Sequence, residues 1–393
     1  MLPSKDPMNI QPARRTFSVK EYYFSVKNRE IAALNARRMA RGEDPVINLG
    51  IGSPDGPPPR EAVEALCASA GEKGSHGYQS YVGIPELREA IARWYARWFG
   101  VTLDPATQIQ PLMGSKEGIL LTSLAYLDPG DKVLVPDPGY PTYTSASLMC
   151  EAEMLTYDLV EADGWYPDFD ALERMDVSGV KILWVNYPNM PTGAPARKDV
   201  FEKLVAFGKK HGILVINDNP YGFILNKPLS ILSVPGAEEV CLEMNSLSKS
   251  HNMAGWRVGM LVGNEAVIKE VLKVKTQMDS GMFRGIQEAA VAALDAPEQW
   301  YAALNAEYAR RREVACRIMD TIGARYDASA GGLYVWGRVD EPAGEVSDRY
   351  LYEAGVFLTP GFIFGENGAH HVRISLCADV PTLQKALAKI RKV

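Results

Sequence analysis

Ser246-Leu247-Ser248-Lys249-Ser250-His251-Asn252-Met253-Ala254-Gly255-Trp256-Arg257 follows a β-like run, Glu239 to Met244. It sets a lysine in a serine-rich turn, with an arginine eight residues on. A lysine amine is a nucleophile only when deprotonated, and nearby cations or removal from water bring that about. Serine hydroxyls beside a lysine and an arginine also make a cradle for phosphate. Taken alone, Lys249 equally suits an ordinary solvated lysine, so the decision lies in the rest of the chain.

Working outward, short β-branched runs alternate with helical patterns, the mark of an α/β sheet. Val133 to Pro136, Val180 to Asn186, Ile213 to Asp218 and Val258 to Val262 read as strands, with helices between them such as Lys116 to Leu127 and Arg197 to His211. A long helical pattern from Gln287 to Met319, broken near Ala296-Pro297, leads toward strands at Gly332 to Val339 and His371 to Leu376. The N-terminal segment carries a helix former, Glu30 to Arg41; Tyr22, Tyr23 and Phe24 before it could line a pocket, and are expected rather to pack the arm. At 393 residues the chain outgrows a single core, which predicts two domains. Its 47% hydrophobic and 23% charged residues are ordinary for a globular protein, and a net charge of -6 gives no basic face for nucleic acid. The five cysteines are scattered with no CxxC pair, which points away from a disulfide framework or a zinc site. With no signal-peptide pattern and no membrane-length apolar run, a cytoplasmic location is expected.

Ligands of parallel sheets sit at the carboxyl ends of the strands, and Tyr140, Asn186, Asp218 and Lys249 all follow strand-like runs. Asp218 would be costly at a buried strand end unless paired; it suits the protonated nitrogen of a pyridine ring, or a turn before Asn219-Pro220. Tyr221 suits a donor to a ring oxygen, or core packing. Gly114-Ser115-Lys116-Glu117-Gly118 opens a helix, and its N–H groups make a phosphate seat or a plain cap. Tyr140 offers a face for a flat cofactor, or fills the core. Arg373, inside an apolar strand, fits a substrate carboxylate or an internal ion pair. The Gly50-Ile51-Gly52 pair lacks a third glycine and runs into prolines, which rules out a dinucleotide loop. Phosphate held beside a reactive amine points to pyridoxal 5'-phosphate bound as a Schiff base.

These motifs resemble, in order and spacing, the class I/II aminotransferases, the fold-type I pyridoxal phosphate enzymes, from about Val46 to Leu376. Asn48 to Asp55 resembles the family's substrate-contacting loop, and Tyr78 to Arg88 the segment whose first tyrosine reaches the neighbouring subunit's phosphate. The wording of Gly114 to Gly118, Val133 to Tyr143, Asn252 to Gly259 and Asp279 to Phe283 is similar to the LL-diaminopimelate aminotransferase-like branch. The resemblance implies a large domain with a mixed, mainly parallel sheet, a smaller α/β domain and a homodimer with shared sites. The expected division is an arm at 1–45 on the small domain, a large cofactor domain at 46–285 and a small domain at 286–393. It further implies Lys249 as Schiff-base lysine and proton carrier, Asp218 on the ring nitrogen, Tyr221 on the ring oxygen and Tyr140 stacked on the ring. Ser115, Lys116, Ser246 and Arg257 would hold the phosphate with Tyr78 of the partner subunit. Arg373 would hold the substrate carboxylate, with Gly52 and Asn189 also on the substrate.

One departure stands out. The family's asparagine before Pro-Thr-Gly is Met190 here, in Asn189-Met190-Pro191-Thr192-Gly193. Methionine donates no hydrogen bond, so the ring oxygen is expected to lean on Tyr221 and the carboxylate on Arg373. The expected activity is ping-pong transfer of an amino group from an L-amino acid to a 2-oxo acid such as 2-oxoglutarate. A carbon–sulfur β-lyase is the enzymatic alternative; an effector sensor is the other, though no DNA-binding segment accompanies it. Arg284 is the candidate for a distal carboxylate, or a surface arginine.

Overall fold

Strands β1 (Ile109–Leu112), β2 (Lys132–Asp137), β3 (Glu153–Asp158), β4 (Val180–Val185), β5 (Leu214–Asp218), β6 (Cys241–Ser246) and β7 (Gly259–Gly263) form one sheet in the order β1-β7-β6-β5-β4-β2-β3. The structure, a computed structural model, describes residues 10–393. β7 runs antiparallel to β1 and β6, while the other pairings are parallel. Every residue of β6 and β7 is buried, as expected of strands covered on both faces; β7 is apolar between its glycines, while β6 also buries Glu243, Asn245 and Ser246. The expected strands appear within two residues of their predicted bounds. β3 was not foreseen: Glu-Met-Leu-Thr-Tyr-Asp pairs with β2 alone and buries only one residue fully, so it carries no apolar run.

A second sheet is built from β8 (Arg325–Tyr326), β9 (Tyr334–Arg338), β10 (Thr359–Pro360) and β11 (His371–Ser375), in the antiparallel order β10-β11-β9-β8. Its apolar cluster joins Leu333, Val335, Val372 and Ile374 to Ala315, Ile318 and Leu387. Four helices matter for the site: α1 (Tyr23–Ala40), α2 (Ser115–Tyr126), α3 (Leu247–Ser250) and α4 (Glu298–Thr321). α1 begins at Tyr23 rather than Glu30, because Tyr23, Ile31 and Leu34 fall on one helical face and pack with Val46, Leu351 and Phe357. The long helical pattern breaks where expected: one helix ends at Leu294 and α4 starts after Pro297.

Parallel β2, β4, β5 and β6 end at Asp137, Val185, Asp218 and Ser246 on one edge of the large sheet, and the second sheet brings Tyr334 and Arg373 to the same place. Among the described residues no helix is long and apolar enough to cross a membrane.

Candidate active site

The strand ends enclose a cavity of about 390 Å³ lined by Gly52, Ser115, Lys116, Tyr140, Asp218, Tyr221, Ser246, Lys249, Arg257 and Arg373, all predicted from sequence. Its charge is lopsided: four lining cations, Lys116, Lys249, Arg257 and Arg373, face one lining carboxylate, Asp218. Such a pocket suits a ligand that brings several negative charges.

At one end β1 leads to Gly114, which turns the chain into α2 at φ +86°, a conformation L side chains rarely adopt. A Cβ here would lie 2.1 Å from Arg257 Nη2. Arg257 sits on this turn, donating to Ala254 O at 2.8 Å and more loosely to Ser248 Oγ and Met113 O, both at 3.4 Å. Ser246 Oγ lies 2.8 Å from Ser248 Oγ and donates to Val258 O at 3.0 Å. Burial, and then the charge of Arg257, push the Lys116 pKa down. Its ammonium lies 4.7 Å over the ring of Tyr22. The start of α2 is braced from beneath: Glu117 accepts from Met113 N at 2.7 Å and pairs with fully buried Lys275, which also binds Asp279. Backbone N–H groups, three serine hydroxyls and a guanidinium around a glycine make a seat for a phosphate.

In the same cavity, Asp218 is 4% exposed. Its Oδ2 accepts from Tyr143 Oη at 2.9 Å, whereas Oδ1 is buried with no partner. Burial pushes its pKa up to about 7; the Tyr143 hydroxyl and, less strongly, that of Ser115 oppose this, and the charge of Glu243 adds to it. An orphaned carboxylate oxygen calls for a cationic N–H, which the protonated nitrogen of pyridoxal phosphate supplies. Tyr143 stacks flat on Trp184 (ring centroids 5.2 Å apart, 6° between planes), and Tyr140 meets Tyr143 edge-on. Asn186 ties the site together, donating to Asp218 O and accepting from Met190 N at 2.7 Å.

Arg373, central in β11, is 3% exposed. Its guanidinium lies 3.9 Å from the Tyr334 ring centroid, 4.6 Å from Phe364 and 5.7 Å from Phe24. Nη1 donates to Met190 Sδ and Nη2 to Gly50 O, both at 3.3 Å, while Nε has no partner. A buried guanidinium bonded only to a thioether and one carbonyl retains its capacity for an anion. Between the two ends, Lys249 Nζ donates to Gly52 O. The residues therefore fit pyridoxal phosphate at three independent points: the phosphate seat, the unpaired Asp218 oxygen and a lysine between them.

Three candidates from the sequence lie elsewhere. Asn189 is buried in its own turn, where Oδ1 accepts from Thr192 N and Oγ1 and Nδ2 donates to Asn186 O, so its amide does not line the cavity. Tyr78 is 93% exposed and borders a separate hollow with His76, Gln79 and Phe283. Arg284 is paired with Glu288 at 2.6 Å. The arm is a correction: Tyr22 and Phe24 line the cavity and only Tyr23 packs. Tyr143 and Ser248 were missed; Tyr143 follows Tyr140 by one helical turn, which was the available signal.

The chain matches the aminotransferase class I and II family over residues 44–390. It is 39% identical to the LL-diaminopimelate aminotransferase of Dehalococcoides mccartyi, covering 96% of this chain and 97% of that protein. It is 40% identical to the enzyme of that name from Aquifex aeolicus, covering 93% and 95%. Substrate-bound BacF from Bacillus subtilis superposes with a TM-score of 0.90 at 36% identity, covering 98% of each chain. Aspartate aminotransferase from Thermus thermophilus superposes at 0.88 with 28% identity, covering 98% and 99%. The chain belongs to the class I and II aminotransferases, a family of pyridoxal phosphate-dependent enzymes.

Proposed function

We propose that this aminotransferase works through Lys249, with the phosphate of its cofactor held by Ser115, Lys116, Ser246, Ser248 and Arg257. Bound pyridoxal phosphate supplies an aldehyde that captures an amine and a cationic ring that draws electrons from the bound amino acid. Asp218 would keep the proton on the ring nitrogen, Tyr221 would donate to the ring oxygen and Tyr140 would cover the ring face. Arg373 grips the substrate α-carboxylate in a nearly dry cage, where a charge-assisted bond is strengthened. Lys249, once its amine is free, would take the proton from the substrate Cα and deliver it to the carbon that had carried the cofactor's aldehyde, and Gly52 O holds the amine in line between those duties. Met190 gives the carboxylate no hydrogen bond, so its anchorage falls to Arg373.

The observation that carries this reading is the placement of an unpaired Asp218 oxygen, the Lys249 amine and an unpaired Arg373 nitrogen around one cavity. We further propose a homodimer in which Tyr78 of the partner subunit completes the phosphate seat. Its support is an exposed ring beside Met282 and Phe283. The free cysteines suit a cytoplasmic setting. The relatives named for LL-diaminopimelate make that diamino acid the first donor to test, and 2-oxoglutarate the first acceptor.

The test is the absorbance of the cofactor-loaded protein mixed with single L-amino acids and no oxo acid. Loss of the visible band with some donors, and its return on adding a 2-oxo acid, supports the reading. A band unmoved by every donor, or release of pyruvate and ammonia from cystathionine, contradicts it.

A further inference from the structure

Helix α4 reaches Lys249 from two directions. At its start, Trp300 Nε1 donates to Ser250 O at 2.9 Å. Tyr301 Oη lies 3.0 Å from His251 Nε2, and Ser250 Oγ lies 2.8 Å from His251 Nδ1. Trp94 Nε1 completes the chain by donating to Tyr301 Oη at 3.1 Å. Ser250, His251, Tyr301 and Trp94 are all buried, and burial pushes the His251 pKa down to about 3. A neutral imidazole offers one donor and one acceptor in either tautomer, so both of its hydroxyl neighbours are served. Ser250 and His251 directly follow Lys249 and end the turn that carries it.

About 15 Å along the same helix, Arg311 is buried and grips Asp55 with two bonds, Nη1 to Oδ1 at 2.6 Å and Nη2 to Oδ2 at 3.2 Å. It also donates to Glu307 Oε1 at 2.8 Å and Leu376 O at 3.1 Å, so its guanidinium is fixed on several sides. Asp55 lies three residues beyond Gly52, whose carbonyl accepts from Lys249 Nζ. The loop has little freedom at that point, since a Cβ on Gly52 would lie 2.2 Å from Tyr334 Oη.

We propose that α4 is the positioning element of Lys249: Tyr301, through His251, sets the turn from which the lysine projects, and Arg311, through Asp55, sets the carbonyl that receives its amine. Tyr301 and Arg311 are positioning residues, remote from substrate and cofactor. Because one helix carries both anchors, the root of the lysine and the resting place of its amine keep a fixed separation. This rests on Lys249 being the reactive lysine.

The experiment uses the cofactor-loaded enzyme and the variants Asp55→Asn, Arg311→Lys, the double variant and Tyr301→Phe. Three quantities are read: the maximal rate and apparent dissociation constant of the donor half-reaction, the pH midpoint of the visible band, and the thermal midpoint. Asp55→Asn and Arg311→Lys are each expected to slow the maximal half-reaction between about tenfold and about a hundredfold, leaving donor affinity within about twofold. Both move the pH midpoint, and the double variant matches the worse single because both cut one link. Tyr301→Phe moves the same midpoint from the other end. The Asp55 side chain is 41% exposed and asparagine keeps its volume, so Asp55→Asn is expected to fold and the test survives if Arg311→Lys does not. Thermal midpoints that change while rate and pH midpoint stay put would overturn the proposal, as would single effects that multiply. A Lys249→Ala protein that keeps the wild-type visible band would overturn the underlying reading of Lys249 instead.

Discussion

Replacing Asp218 by asparagine should make the apoprotein more stable while loosening its hold on the cofactor. In the folded apoprotein burial raises this carboxyl from 3.8 to about 7, so the folded state holds a proton that the unfolded chain releases. Stability then falls as pH rises between those two values, at 1.36 kcal/mol per pH unit, and levels off above the upper one. The full span corresponds to about 4 kcal/mol of destabilisation at pH 8, absent when the group is protonated in both states. Asparagine keeps the volume and an oxygen for the Tyr143 hydroxyl, and it carries no charge toward buried Glu243. Urea unfolding of wild-type and Asp218→Asn apoprotein at equal protein concentration measures the difference. The variant is expected to exceed the wild type by up to about 4 kcal/mol at pH 8, with the gap shrinking steadily toward pH 5. Cofactor affinity should fall by about tenfold to a hundredfold, the loss expected for a charge-assisted hydrogen bond. A variant no more stable than the wild type at pH 8, or a gap that does not change with pH, refutes the reasoning.

Gly114→Ala forces a side chain into a conformation worth about 1–3 kcal/mol of strain and drives its Cβ against Arg257. A spectroscopic titration with pyridoxal phosphate should show at least about tenfold weaker binding. Arg373→Gln should raise the donor dissociation constant about tenfold to a hundredfold and leave the visible band of the loaded enzyme where it was, as single-turnover mixing will show. Met190→Asn adds a donor beside the ring oxygen and should lower the pH midpoint of the visible band by up to about one unit. A midpoint that rises or stays put rules out the assigned role of Met190.

Much of the fold is legible because the buried parallel strands each carry a short apolar stretch, and the polar residues that end these strands mark the active edge. Asp218 after Val215-Ile216 and Lys249 after Leu242 to Met244 stand out for that reason. Arg373 stands out as a charge within an apolar strand. The edge strand Glu153–Asp158 does not, because one neighbour and partial exposure leave its composition mixed. Asn189 looks like a ligand in sequence, yet its amide is consumed by the turn it builds. Tyr22 and Phe24 resemble packing aromatics, and only the docking of α1 against the second sheet's side of the molecule turns them into the cavity. Local pattern records burial and periodicity; it does not record where a long-range contact delivers a side chain.

The central claim is that Lys249 carries the cofactor, and borohydride reduction of the loaded protein followed by peptide mass spectrometry tests it most directly. The account predicts a phosphopyridoxyl group fixed to the peptide containing Lys249, and no fixed group after Lys249→Ala. Label on another lysine such as Lys116 or Lys275 with Lys249 unmodified, or equal labelling of the Lys249→Ala protein, would contradict it.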